Sequence, residues 1–371
     1  MPAQFEERRG LKSIGTPDEK MVRHLLRNVY QFSVAKNYSQ LKALIEAMVA
    51  SGGEISSFTE FRDAARKIDE RYNITYLRTE YDTAISSAQM AAHWARFGEG
   101  NGDPMLRYVT AGDERVRASH AALNGLQRPM SDPIWDMIYP PNGWHCRCTV
   151  VEVNGKPTPN GGLRLPDDVP PLFRTNLAKT GMLFPKGHPY FKILNELKES
   201  ERKELLEYAN DRYIDVGIKG LDDRAAKRKL CLLIREVISD EIKYNTQISL
   251  PKSEEREDIP LKVTPFSIKT VVNSDNHSWG KESKKAFLNA MRNVNEWKYL
   301  HSKRLGYGKD INNPKDKSNI ERKKARGVQS YNYYLYEWNS KEWLIGCEVI
   351  EDKDKERYEQ TYFIIEYNKE K

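Results

Sequence analysis

The chain is sparing with cysteine: four in 371 residues, too few and too scattered for the disulfide framework of a small secreted scaffold. It contains no run of about 18 uninterrupted apolar residues, so no membrane-spanning helix is expected. Its opening, MPAQFEERRG, lacks the apolar stretch of a signal peptide, and the expectation is a soluble intracellular protein with no membrane partner. Several catalytic signatures are missing. There is no Walker loop, no dinucleotide glycine fingerprint, no HExxH and no nucleophile elbow. Paired glutamates on a strand after a serine or threonine strand, which an ADP-ribosyltransferase would need, are not found either. The net charge of +7 is a mild excess, informative only where it is concentrated.

What is present suits two or three domains with separate cores. The first hundred residues read as helices: Met21, Leu25, Val29 and Phe32 recur at helical spacing, SQLKALIEAMVASGG repeats the pattern, and Ser57 with Glu60 forms a capping-box pair ahead of a further helix. A longer helix follows from about residue 76 to 97. It carries Arg78, Thr79, Glu80 and His93, which could face either solvent or a neighbouring segment, with solvent the expectation for any one of them. From Pro104 the text breaks into short pieces, an α+β unit: MLRYVT and CRCTVVEV read as strands, ERVRASHAALNG as a short helix ended by Gly125. After a Pro- and Gly-rich linker the chain turns helical again. The last hundred residues start helix-like and finish in three strand-like runs, SYNYYLYEWNS, KEWLIGCEVIE and YEQTYFIIEY, the pattern of an antiparallel meander. In the middle run Trp343, Ile345, Cys347 and Val349 are assigned to the core face, and Leu344, Gly346, Glu348 and Ile350 to the other. Cys231 and Cys347 lie in apolar runs and read as core.

Two clusters carry chemistry. In PPNGWHCRC Cys146 and Cys148 are two apart, and on a strand both sulfurs would share a face. With His120, and either His145 or a water, they could complete a tetrahedral zinc site; a buried pair of plain core cysteines is the alternative. A disulfide between residues so close would be strained. Arg115, Arg117 and Arg147 are expected to pair with Asp113, Glu114 or Asp136 and lock this loop-rich unit rather than bind substrate.

The residues Asp113, Arg115, Arg117, His120, Leu123, Gly125, Pro129, Pro133, Trp135, Pro140, Pro141, Gly143, Trp144, Cys146, Arg147 and Cys148, in that order, closely resemble the central motif of the phage Mu F-like head morphogenesis family. Arg78, Thr79 and Glu80 match the family's upstream helix. The resemblance covers roughly residues 15 to 155, and His145 falls at a variable position, leaving His120, Cys146 and Cys148 as the metal candidates. It implies a structural role with portal and other head proteins as partners, in the virion head and the bacterial host cytoplasm, with no catalysis.

The second cluster is the positive charge. Between Lys298 and Arg326 there are ten Lys or Arg against three acids, interleaved with Tyr and Asn, the footprint of a surface for RNA or DNA, although solvated charge runs are common. Lys303, Arg322, Lys323 and Lys324 are the phosphate-binding candidates. His301 and Arg304, three apart, would share a face if the segment is helical. Cleavage of RNA without metal needs a base for the 2′-hydroxyl, an acid for the leaving oxygen and fixed cations; His301, Glu348 and Arg304 are the catalytic candidates, with aromatics of YNYYLYEW for base stacking. His277 is an alternative histidine. The order of helices, basic segment and meander resembles the barnase, EndoU and RelE-like nuclease superfamily over about residues 262 to 371, which implies a ribonuclease toxin needing no cofactor and an immunity protein as partner.

The expected fold is α+β and multidomain: a mainly helical Mu F-like domain with a small β element at 1–165, a helical connector at 166–250, and an α+β domain with an antiparallel meander at 262–371. The expected function is a minor head protein carrying a ribonuclease domain. Two alternatives are a wholly structural head protein whose basic end holds DNA or a capsid partner, and a toxin effector with the Mu F-like unit as adaptor.

Overall fold

The computed structural model describes residues 17–49, 55–100, 102–159, 169–273 and 281–367. The chain divides into two compact units, one up to Tyr213 and one from Ile214.

The first unit is led by two long helical segments. Helix α1 spans Pro17–Ala47. The second segment begins at the expected capping box, in which Glu60 N–H donates to Ser57 Oγ and Ser57 N–H to Glu60 Oε2. It runs as α2 (Phe58–Glu70), one π-helical turn (Arg71–Thr75) and α3 (Tyr76–Phe97). The sequence divides this stretch into two helices; the chain joins them through the wider turn, which carries the buried Tyr72. Glu80 corrects another expectation. It is buried, accepting from Lys36 Nζ at 2.6 Å and from Tyr190 Oη at 2.9 Å, because a carboxylate with both a cation and a hydroxyl donor can stand inside a helix interface. A three-stranded antiparallel sheet follows, in the order β2-β1-β3: β1 (Met105–Val109), β2 (Gln127–Pro129) and β3 (Thr149–Glu152). Between its strands lie short helices α4 (Ala118–Ala121) and α5 (Trp135–Ile138). Leu106, Tyr108, Trp135, Ile138, Tyr139 and Val150 pack this sheet into one core with Phe32, Ala91 and Trp94 of the long helices.

Beyond it come α6 (Leu177–Thr180), α7 (Pro189–Ile193) and α8 (Glu199–Gly217), with the boundary between units inside α8. The second unit holds α9 (Asp223–Glu241), α10 (Pro265–Asn273), α11 (Lys281–Arg292) and α12 (Pro314–Lys324). Its sheet contains β4 (Gln247–Ile248), β5 (Leu261–Lys262), β6 (Lys298–Arg304), β7 (Val328–Trp338), β8 (Lys341–Glu351) and β9 (Arg357–Glu366). The order is β4-β5-β9-β8-β7-β6, so the expected meander β7-β8-β9 forms and is extended on both sides. Only the β5–β9 pair is parallel.

One face of this sheet carries Tyr334, Tyr336, Trp343, Ile345 and Ile364, all buried in the same unit as Leu230, Ile234, Val271 and Phe287. The assignment of β8 to two faces needs one correction: Glu348 is fully buried, because other side chains cover it, and Ile350 is buried with it. Cys347 is buried; Cys231 is only half-buried, its thiol donating to the Val272 carbonyl at 3.0 Å.

Candidate functional site

The PPNGWHCRC segment is not a strand at its cysteines. Strand β3 begins only at Thr149, so the alternation argument for Cys146 and Cys148 fails, yet the two thiols converge. They converge because His145 takes a left-handed φ of 56° and Cys146 N–H closes a turn onto the Gly143 carbonyl at 3.2 Å. Across from them, α4 delivers His120, whose Nδ1 lies 3.7 Å from Cys146 Sγ and 3.5 Å from Cys148 Sγ. All three residues are buried, and their three donor atoms lie within 4.8 Å of one another. Cys146 is held well below the usual thiol range, foremost by the Cys148 thiol donating to it, against the opposing effect of burial, and then by His120 and the amides of Asn142 and Cys148. Cys148, the donor of that pair and buried, is pushed up.

His145 is no part of this cluster. Its Nε2 lies 3.3 Å from Thr79 Oγ1 and its Nδ1 3.5 Å from Asp82 Oδ2, both on α3. The arginines divide. Arg147 makes the expected pair, two hydrogen bonds of 2.6 Å to the carboxylate of Asp113, whose pKa it holds down to about 2. Arg117 donates instead to the Trp144 carbonyl at 2.7 Å and lies over Gly143. The Arg115 backbone N–H donates to Asp113, and Asp136 takes Lys179 rather than an arginine. Trp144 stands edge-on to Phe173 at 5.1 Å and to His188 at 5.6 Å. A cleft of about 980 Å³ is lined by Cys146, Cys148, Arg115, Arg117, Arg147 and Asp82, among others. Arg117 and Arg147 fixed by a carbonyl and a carboxylate, an indole held edge-on and buried sulfurs make a rigid platform.

In the second unit the basic segment begins as a strand, passes through turns and continues into α12. Residues 298–304 form strand β6, so His301 and Arg304, three apart, point to opposite faces instead of sharing one. The register then sorts the candidates. His301 opposes Tyr333, which opposes Gly346; Lys303 opposes Tyr331, which opposes Glu348. These residues share one face, on which His301 and Glu348 lie about 12 Å apart at Cα, two strands across and two residues along. Gly346 has no room for a side chain, since a Cβ would meet the Phe363 ring at 2.3 Å. Phe363 and Tyr362 continue the aromatic row, at 6.1 Å from Tyr333 and 6.2 Å from Tyr331 respectively.

Glu348 is not a free base. Arg326 Nη2 donates to both of its oxygens at 2.9 Å, Gln360 Nε2 donates at 3.2 Å, and Lys323 Nζ stands 3.7 Å away. His301 stacks on Tyr333 at 4.7 Å, and its Nε2 is buried without a hydrogen-bond partner. Burial, then Lys303, lowers its pKa. Lys323 sits over the rings of Tyr362 and Tyr331 at 4.3 and 4.7 Å, and Lys303 over Tyr307 and Tyr333. Arg322 and Lys324 are exposed on α12. His277 lies outside the described residues.

Sequence reasoning passed over Arg326, one cation among ten in its segment. Its only signal was Gly327, which holds φ 84° where a Cβ would strike the Glu351 carbonyl at 2.1 Å, fixing the chain just after Arg326. It also missed Glu359, which accepts from Arg256, Asn332 and Tyr334 beneath the sheet.

Residues 39–151 match the family model for Phage Mu protein F like protein. The Mu-like prophage FluMu F protein of Haemophilus influenzae is 41% identical over 91 residues, 24% of this chain and 21% of that protein. The putative capsid assembly protein F of Escherichia phage Mu is 36% identical over 75 residues, 20% of this chain and 17% of that one. The chain thus covers about a fifth of the length of these relatives. No solved structure matches it. No helix among the described residues is long and apolar enough to cross a membrane.

Proposed function

On the premise that residues 39–151 are a Mu F-like region, we propose that this chain is a phage or prophage minor head protein. It acts in capsid morphogenesis with portal and other head proteins, within the bacterial cytoplasm and then in the virion head. The observation that carries the reading is that the matched region is built as a locked platform, Arg147 held by Asp113, Arg117 by the Trp144 carbonyl, and its indole packed on Phe173 and His188. A second observation supports an interaction role. Around the end of α1 and the start of α2, Ile45, Met48, Val49, Ile55 and Phe58 are all more than half exposed, which favours burial against another protein. The test is mass spectrometry of purified heads, with the yield of DNA-filled heads, made with the wild-type chain, without it and with Trp144→Ala. Absence of the chain from the particles, or unchanged heads without it, overturns the reading.

For the second unit we propose a nucleic-acid surface that cleaves RNA without metal. The carrying observation is that the half-exposed His301 ring shares one sheet face with Lys303, Lys323, Arg326 and four aromatic rings. With a lowered pKa the imidazole is neutral near pH 7, the form that removes a proton from a 2′-hydroxyl. Glu348 acts as a positioning residue that aims Arg326 and Lys323 at phosphate; Arg304 falls outside this site. Incubating the full chain with total RNA in EDTA, beside His301→Asn, tests it. Cleavage lost in the variant is expected. Binding without cleavage would favour a structural tail holding DNA or RNA, and neither binding nor cleavage removes the surface altogether.

A further inference from the structure

We propose that His120 Nδ1, Cys146 Sγ and Cys148 Sγ bind one thiophilic divalent cation of the zinc class, with the fourth coordination position turned to the cleft and held by water. The inference is independent of both proposed functions.

The distances set the case. A tetrahedral zinc with sulfur at about 2.3 Å and nitrogen at about 2.05 Å places nitrogen about 3.6 Å from each sulfur. The observed separations are 3.5 and 3.7 Å, matching the two nitrogen–sulfur spacings of such a site, and all three donor atoms lie within 4.8 Å of one another. Among the described residues this is the group of at least three His, Cys, Asp or Glu that can meet on one ion, and it is fully buried, unlike the exposed acidic clusters that gather on many surfaces.

The surroundings favour a closed donor set with one opening. His145, the other imidazole in the segment, is engaged on Thr79 and Asp82. Tyr108 Oη donates to Asn142 Oδ1 at 2.8 Å, and the Asn142 backbone amide reaches Cys146, a supporting layer of the kind that orients metal ligands. Cys146 and Cys148 line the cleft while His120 does not, so the free position faces water on that side. Both sulfurs bind as thiolates, and any proton a sulfur carries passes to solvent as its bond to the metal forms. Two thiolates then neutralise a divalent ion, and no net charge is left buried. The site ties α4, the 142–148 turn and the start of β3 together, elements otherwise joined by short stretches of irregular chain.

The experiment uses the full chain. Elemental analysis after expression with zinc should give one zinc per chain, lost in Cys146→Ser and Cys148→Ser. Cobalt added to the metal-free wild type should produce thiolate-to-cobalt charge-transfer absorption and the intense visible bands of a tetrahedral ion. Since the serine variants could misfold, alkylation of the wild type mapped by mass spectrometry supplies a second readout: zinc should protect Cys146 and Cys148, and a chelator should expose them, while Cys231 stays unchanged. Zinc content undiminished in the double serine variant, no cobalt spectrum, or equal alkylation with and without zinc overturns the proposal.

Discussion

The two units place their chemistry in opposite ways. In the first, the distinctive residues turn inward: His120, Cys146 and Cys148 are buried against one another, and Arg117 and Arg147 beside them are tied to backbone and carboxylate. In the second, His301, Lys303, Lys323 and the aromatic row lie half-open along one sheet face, while the buried carboxylates anchor the strands beneath and beside them. An inward cluster fixes geometry at the expense of access; an open face keeps access and must borrow rigidity from its supports. The lesson is that a histidine beside cysteines and a histidine beside tyrosines answer to different constraints, the first to packing and the second to register.

The largest test of that contrast lies inside the second unit. Arg256 and Glu359 are both almost wholly buried and 3.1 Å apart. Burial pushes the Glu359 pKa up, against the donors around it. Arg256→Met would leave a buried carboxylate with only the neutral donors Asn332 and Tyr334 and no cation, and a loss of about 3–5 kcal/mol is expected. Arg326→Met, which removes a partly exposed cation, should cost only about 1–2 kcal/mol, because the buried Glu348 keeps the Gln360 donor and the Lys323 cation. Urea unfolding of both variants measures the gap. Equal losses would mean that the two faces are supported alike.

Next in size is a pH effect confined to the first unit. His188 is wedged among Phe32, Trp144 and Tyr190, and burial, then Lys36, lowers its pKa to about 4. Between that value and the ordinary 6.5 the unfolded chain binds a proton that the folded unit refuses. Stability therefore rises with pH across this window, and acidification from 6.5 to 4 should remove up to about 3 kcal/mol. His188→Asn keeps a side chain able to cap α7 and should flatten the dependence. A profile unchanged by the variant would show that the proton is taken up elsewhere.

How much of this the sequence displays depends on how each feature is made. The long helices and β7 to β9 are legible because one periodicity runs through each, apolar at helical spacing in α1 and alternating aromatics in β7. Strand β6 is not. It sits at the sheet edge with a single neighbour, is buried on neither face and carries a bulge, so KYLHSKR shows no clean alternation. The three residues of the His120 cluster were visible, but for a reason that fails: strand alternation was expected, whereas a left-handed His145 and a distant short helix bring them together. Glu80 and Arg326 were hidden by their chemistry, since a charged residue on a helix or in a basic run looks solvated until its partner is seen across the fold.

A smaller effect separates the open face from the rest of its unit. The His301 pKa is lowered by burial and by Lys303, so its NMR titration should fall below 6.5, and Lys303→Ala should move it up. The sign is that of His188: protonation is favoured in the unfolded chain, and the contribution to stability declines as pH drops below the ordinary imidazole value. A midpoint indifferent to Lys303 would place that ammonium away from the ring and weaken the case for a shared face.

The smallest effect, and the sharpest in placing the nucleic-acid surface, is a slope. Lys303 lies over Tyr307 and Tyr333 on the face that carries His301, whereas Arg304 points to the other side of β6. Each phosphate contact on a single strand contributes about 0.7 to the slope of log affinity against log salt. Lys303→Ala should lower that slope by about this much for single-stranded RNA, and Arg304→Ala should leave it unchanged, although the two substitutions remove the same charge from neighbouring residues. Net charge alone would make them equal; strand alternation makes them differ. Equal slopes would therefore mean that RNA reads the basic run as a diffuse cloud, and that the ordered row of rings and cations on the sheet is not where it binds.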